Sequence, residues 1–121
     1  MSAGLTGVWD DVVLVDGMRT PFVDYTGPLG LVSATDLGIK AGRAAIAKTG
    51  LPASDIGSVI CGSVAQTSFD AFLLPRHIGL YCGAPEATPA HLVQRVCGTG
   101  VEMIAQAADA IALKQIGRAH V

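Results

Sequence analysis

From Val101 to Leu113 the only polar side chains are Glu102, Gln106 and Asp109, and on a helix these three fall in one narrow stripe. Met103, Ile104, Ala107, Ala108 and Ile111, with their apolar neighbours, cover nearly all the rest. A helix that is apolar almost all round belongs between layers, not on a surface. It is the longest helix the chain predicts, over residues 98–116, with Gly117 as its stop signal. The rest of the chain is too small to wrap it. Hydrophobic residues make up 50% of the 121 residues and charged ones only 15%, against about 25% charged in an ordinary soluble domain. The length fits one domain, and so few charges cannot cover its surface. The chain therefore reads as one domain with more than one buried face, either part of a larger body or a tight homo-oligomer, dimer or tetramer.

The remaining elements alternate. Residues 11–16 (Asp-Val-Val-Leu-Val-Asp) form a β-branched run expected to be a buried strand. Ser33 then opens a capping-box sequence, Ser33-Ala34-Thr35-Asp36, ahead of a helix running to about Lys48, with Gly50 and Pro52 as stop signals. A strand is predicted over 56–64, a short helix over 73–81 and a strand over 92–96. Residues 119–121 look like the start of a fourth strand. Strand and helix in alternation imply an α/β fold, a parallel-type sheet with helices on both faces.

Composition excludes several classes. A net charge of −2 with scattered Lys and Arg gives no basic footprint, so no nucleic-acid partner is expected. No apolar run approaches the ~20 residues of a membrane span, so no membrane association is expected either. Residues 1–9 lack the basic and apolar pattern of an export or import signal. Cys61, Cys82 and Cys97 are an odd number without Cys-x-x-Cys spacing, which argues against a disulfide scaffold or a metal site. Free thiols suit a reducing compartment, and a cytoplasmic protein is the expectation.

Cys97 carries the chemistry. It follows a predicted strand directly and begins the long helix, in Val96-Cys97-Gly98-Thr99-Gly100. Reactive groups of open α/β sheets gather at the carboxyl ends of strands. A helix N-terminus favours the thiolate over the thiol. Gly98 and Gly100 let a substrate come close to the backbone and leave amides available to an oxyanion. Together these describe a nucleophilic cysteine placed for acyl transfer. The plainer reading is a small buried hydrophobe beside a glycine turn. A phosphate cradle is weak, since the Walker lysine and a third glycine are missing. His77, His91 and His120 are the candidate bases, and none is predicted to lie near Cys97. Cys61, mid-strand, and Cys82, at a helix end, read as inert.

The sequence resembles the thiolases, the acyl-CoA acetyltransferases. Val12-Val13-Leu14-Val15 followed by Arg19-Thr20-Pro21-Phe22 is similar to their opening strand and Arg-Thr-Pro-Phe motif. Residues 58–64, then Pro75-Arg76, resemble the second strand and the helix after it. Val96-Cys97-Gly98-Thr99-Gly100 resembles the Cys-Gly/Ala-Ser-Gly site of the acylated cysteine. Thr99 stands where serine is usual, and Gln94 where asparagine often precedes the cysteine.

The resemblance implies that Cys97 takes an acyl group from acyl-CoA as a thioester and passes it to coenzyme A or to a second acetyl-CoA, with Gly98 and Gly100 as backbone support. No metal or redox cofactor is implied; coenzyme A is a substrate. Thiolases are about three times longer and have two similar halves. Their other catalytic groups, a histidine in Gly-His-Pro and a cysteine in Cys-x-Gly-Gly-Gly, have no counterpart in this sequence. Residues 1–121 therefore resemble an incomplete thiolase N-terminal domain, expected to turn over poorly alone. The alternative is a non-enzymatic half-domain that serves as an oligomerisation module.

Overall fold

The computed structural model describes residues 6–66 and 70–120. Along the chain come α1 (Ala34–Thr49), β1 (Ser58–Gly62), α2 (Leu74–Tyr81), β2 (Ala90–Val93), α3 (Thr99–Ala112) and β3 (Ala119–His120). The capping residue opens α1 as its sequence implies. Ser33 Oγ accepts the Asp36 N–H at 3.0 Å, which satisfies one of the donors a helix start leaves unpaired. Gly50 closes the helix at φ +66, a left-handed conformation that costs glycine little.

The strands form one parallel sheet in the order β2-β1-β3. Central β1 is covered on both faces, and Val59 and Ile60 are only 2% and 1% exposed. Successive strand residues point to opposite faces, and the contacts follow that alternation. Val59 lies against Gly79 of α2, and Cys61 packs with Leu74, Ile78 and Cys82. On the other face Ile60 packs with Val93 and Ala107, and Gly62 lies against Thr99 and Met103 of α3. α1 rests on α2 through Gly38 and Gly42, which face Ile78 and Cys82. The parallel sheet with helices on both faces is thus the architecture the sequence implies.

Residues 11–16 depart from expectation. They form no strand, and Val13, Leu14 and Val15 are 77%, 76% and 60% exposed. A β-branched run becomes a strand only where an edge accepts its backbone. This segment is instead held at its ends by side chains, Trp9 Nε1 donating to Asp109 Oδ1 at 2.7 Å and Lys48 Nζ to Asp16 Oδ1 at 2.8 Å.

The long helix also ends early. Lys114 adopts φ +57, the Gln115 N–H donates to Ala110 O and the Lys114 N–H to Ile111 O. This is a Schellman closure made without glycine, so Gly117 is not the stop. Ala107 and Ala108 of α3 are buried, Ala107 against Ile60 and Val93 of the sheet, while Val101 stays 75% exposed.

Candidate active site

Cys97 lies in the turn between β2 and α3, and its side chain is exposed. The strand expected over 92–96 is β2, which starts two residues earlier and ends three residues earlier, leaving Gln94, Arg95 and Val96 to shape the turn. Val96 takes φ +47. A β-branched residue in the left-handed region is an outlier that its surroundings must enforce.

Four hydrogen bonds surround that residue. The Arg95 N–H donates to Thr99 Oγ1 at 2.8 Å, and the Thr99 hydroxyl donates to Val96 O at 2.7 Å. The Thr99 N–H also donates to Val96 O. The Gly98 N–H donates to Arg95 O at 2.9 Å. That last bond corrects one expectation: the Gly98 amide is turned back into the turn and is not free for an oxyanion. Gly98 and Gly100 both border open space. A Cβ at Gly98 would come no closer than 3.8 Å to any neighbour, and at Gly100 it would meet nothing within 4 Å.

Beside this turn is a polar cleft of about 410 Å³, lined by Leu92, Val93, Gln94, Arg95, Glu102 and Gln106. Arg95 pairs with Glu102, and Gln106 Nε2 donates to the other Glu102 oxygen at 3.1 Å. The bond from Arg95, then that from Gln106, holds the Glu102 carboxyl below the usual range. His91 Nε2 lies 3.0 Å from Gln106 Oε1. Gln94 Nε2 donates to Val64 O at 2.7 Å, tying the loop after β1 to this corner.

The other cysteines are packed away, as expected of inert thiols. Burial, with a smaller contribution from Cys82, pushes the Cys61 thiol up to about 12. Burial also raises Cys82, whose Sγ lies 3.7 Å from Ile39 O. His120 in β3 is half-buried, and desolvation lowers its pKa; its Nδ1 is buried and has no hydrogen-bond partner among the described residues. His77 belongs to α2. A larger, mostly apolar cavity of about 600 Å³ lies between residues 11–18, α1 and the sheet, and Cys97 does not line it.

The motif residues outside the turn have structural partners. Arg76 donates to Thr88 O at 2.9 Å and Glu86 O at 2.7 Å, fastening α2 to the loop before β2. Arg19 stacks 5.6 Å from the centroid of the Phe22 ring on the surface. Among the described residues no cluster of His, Cys, Asp and Glu could hold a metal ion, and no helix is long and apolar enough to cross a membrane.

Sequence reasoning missed Thr99 and Val96. Thr99 draws notice only as a departure from serine, and nothing in the sequence signals a left-handed valine.

Residues 12–119 match the family profile described as "Thiolase, N-terminal domain". The chain belongs to the thiolase family. It is 40% identical over 104 residues to the human protein named "3-ketoacyl-CoA thiolase, mitochondrial", covering 86% of this chain and 26% of that one. The mouse protein of the same name is 44% identical over 103 residues, covering 85% and 26%. The crystal structure of human mitochondrial 3-ketoacyl-CoA thiolase in complex with CoA superposes with a TM-score of 0.82 at 40% identity, over 84% of this chain and 26% of that one. This thiolase chain thus spans about a quarter of the length of the relatives it matches. Their names overturn the expectation of a cytoplasmic protein, since both are mitochondrial. Free thiols report only a reducing environment and do not separate one such compartment from another.

Proposed function

We propose that Cys97 is the nucleophile of a thiolase acyl transfer between acyl-CoA and coenzyme A. The supporting observation is the exposed thiol itself, fixed by the left-handed Val96 turn at the start of α3, with open space above Gly98 and Gly100. With the relatives' substrate class, the reaction is thiolysis of a 3-ketoacyl-CoA. Cys97 Sγ bonds to the C3 carbonyl carbon and the C2–C3 bond breaks. Acetyl-CoA leaves once C2 takes up a proton, and the shortened acyl group remains as a thioester on Cys97. The thiol of a second coenzyme A then takes the acyl group and frees the cysteine. Coenzyme A is a substrate here, and no metal or redox cofactor enters the scheme.

The base that accepts the thiol proton and the acid that supplies C2 are not assigned to His77, His91 or His120. His91 faces Gln106, and His120 lies half-buried on the α1 side of the sheet, against Gly42. In this reading residues 1–121 are an incomplete thiolase N-terminal domain, and polypeptide beyond them supplies those groups. The open face of α3 and the free edge of β2 are the surfaces on which copies would assemble.

The test is 3-ketoacyl-CoA thiolysis with and without Cys97→Ala. In a thiolase polypeptide containing this domain and its remaining catalytic groups, the substitution should abolish turnover, a loss of about 10³-fold or more. The 121-residue chain alone should show no Cys97-dependent turnover. A Cys97→Ala polypeptide that keeps its rate would overturn the assignment.

A further inference from the structure

We propose that Thr99 is the positioning residue that sets the direction of the Cys97 thiol, by clamping the left-handed turn at Val96. The proposal rests on the reading of Cys97 as the nucleophile and explains how its geometry is maintained. A valine at φ +47 returns to the ordinary region unless something holds it. Thr99 Oγ1 is the atom that holds it from both sides, accepting from the Arg95 N–H and donating to Val96 O. One hydroxyl therefore bridges the Gln94–Arg95 peptide group and the Val96–Cys97 peptide group, spanning the strained residue. Thr99 is itself buried, 6% exposed.

The methyl group of Thr99 fixes the hydroxyl. Thr99 Cγ2 packs over Gly62 at the end of β1, so closely that a Cβ at Gly62 would lie 2.3 Å from it. Sheet, helix start and turn are thus joined through one side chain: Gly62 seats the methyl, the seated methyl aims the hydroxyl, and the hydroxyl fixes Val96 ahead of Cys97. Misplacement of a reacting group by about 1 Å can cost on the order of 100-fold in rate.

The experiment measures the iodoacetamide alkylation rate at Cys97 by peptide mapping, across a pH series, with Cys61 and Cys82 as internal references. Circular dichroism and urea unfolding check each variant's fold. Thr99→Val keeps the shape and removes the hydroxyl, and it should slow Cys97 about tenfold while leaving the references unchanged. Thr99→Ser keeps the hydroxyl and should stay within about threefold of the parent.

Gly62→Ala reaches the same clamp from the other side. It should slow Cys97 by pushing on the Thr99 methyl; Met103 Sδ, 2.7 Å from the same Cβ, sits on a flexible side chain that can shift, so Thr99→Ser in that background, with no Cγ2, should restore most of the rate. This rescue keeps the test decisive if Thr99→Val fails to fold. Unchanged Cys97 reactivity in folded Thr99→Val, equal loss in the serine and valine variants, or no rescue in the double variant would each overturn the clamp. Labelling of Cys61 or Cys82 ahead of Cys97 in the parent protein is a separate result. It would overturn the nucleophile reading, whatever the Thr99 variants do.

Discussion

Gly42, in the middle of α1, faces His120 of β3 so closely that a Cβ at Gly42 would lie 2.8 Å from His120 Cε1 and 2.8 Å from Cys82 Sγ. The absent side chain lets one helix reach both the sheet and the neighbouring helix. Gly42→Ala must displace an imidazole and a thiol that are both packed from behind. Overpacking of this kind costs about 1–3 kcal/mol. Urea unfolding should show that loss, and an unchanged midpoint would mean that α1 is not seated as described.

The partial burial of His120 makes stability depend on pH. Desolvation lowers its folded pKa below the ordinary 6.5, so the unfolded chain binds the proton more readily. Stability then rises with pH wherever the unfolded state holds more protons. The contribution of neutral His120 is fully present above about pH 6.5 and is lost as the pH falls toward its lower folded value. Denaturant titrations should show weakening in that window, and His120→Phe should flatten it. A curve for His120→Phe as steep as the parent's would assign the pH dependence elsewhere.

Arg76 bridges α2 and the loop ahead of β2 through Thr88 O and Glu86 O. Arg76→Met keeps much of the aliphatic stem and removes both bonds. Hydrogen bonds from a charged donor are worth about 1.5–3 kcal/mol each. These are partly exposed, so a combined loss of about 1–3 kcal/mol is expected in urea unfolding.

How much of this was legible follows residue by residue. Ser33 and Gly50 bound α1 because capping and left-handed termination are local chemistry. Val59 and Ile60 mark a strand covered on both faces, because a continuous apolar run needs two covers. Cys97 is legible from its place between strand and glycine turn. The segment at 11–16 is not, because its composition states a preference for a strand while a partner edge decides the outcome. Lys114 in place of Gly117 is another case: the Schellman bonds to Ala110 and Ile111 outweigh the cost of a left-handed lysine. Thr99 is the clearest. Its role depends on Gly62, 37 residues away in sequence, and on the backbone conformation of Val96, and neither can be read from the turn alone.

The open apolar surface of α3 leads to a prediction about assembly. Val101 is 75% and Ile104 41% exposed, and among the described residues β2 is an edge strand paired only with β1. Such surfaces mark interfaces or promote aggregation. Light scattering at micromolar concentration should report a dimer or tetramer, and Ile104→Asp should reduce the association. A well-behaved monomer would contradict it.

The central claim is that Cys97 is the reactive cysteine, and competitive alkylation tests it most directly. With limiting iodoacetamide near neutral pH, peptide mapping should find Cys97 labelled first, about tenfold or more ahead of Cys61, whose thiol burial holds near 12, and ahead of buried Cys82. Labelling of Cys61 or Cys82 before Cys97 in the folded protein would contradict it.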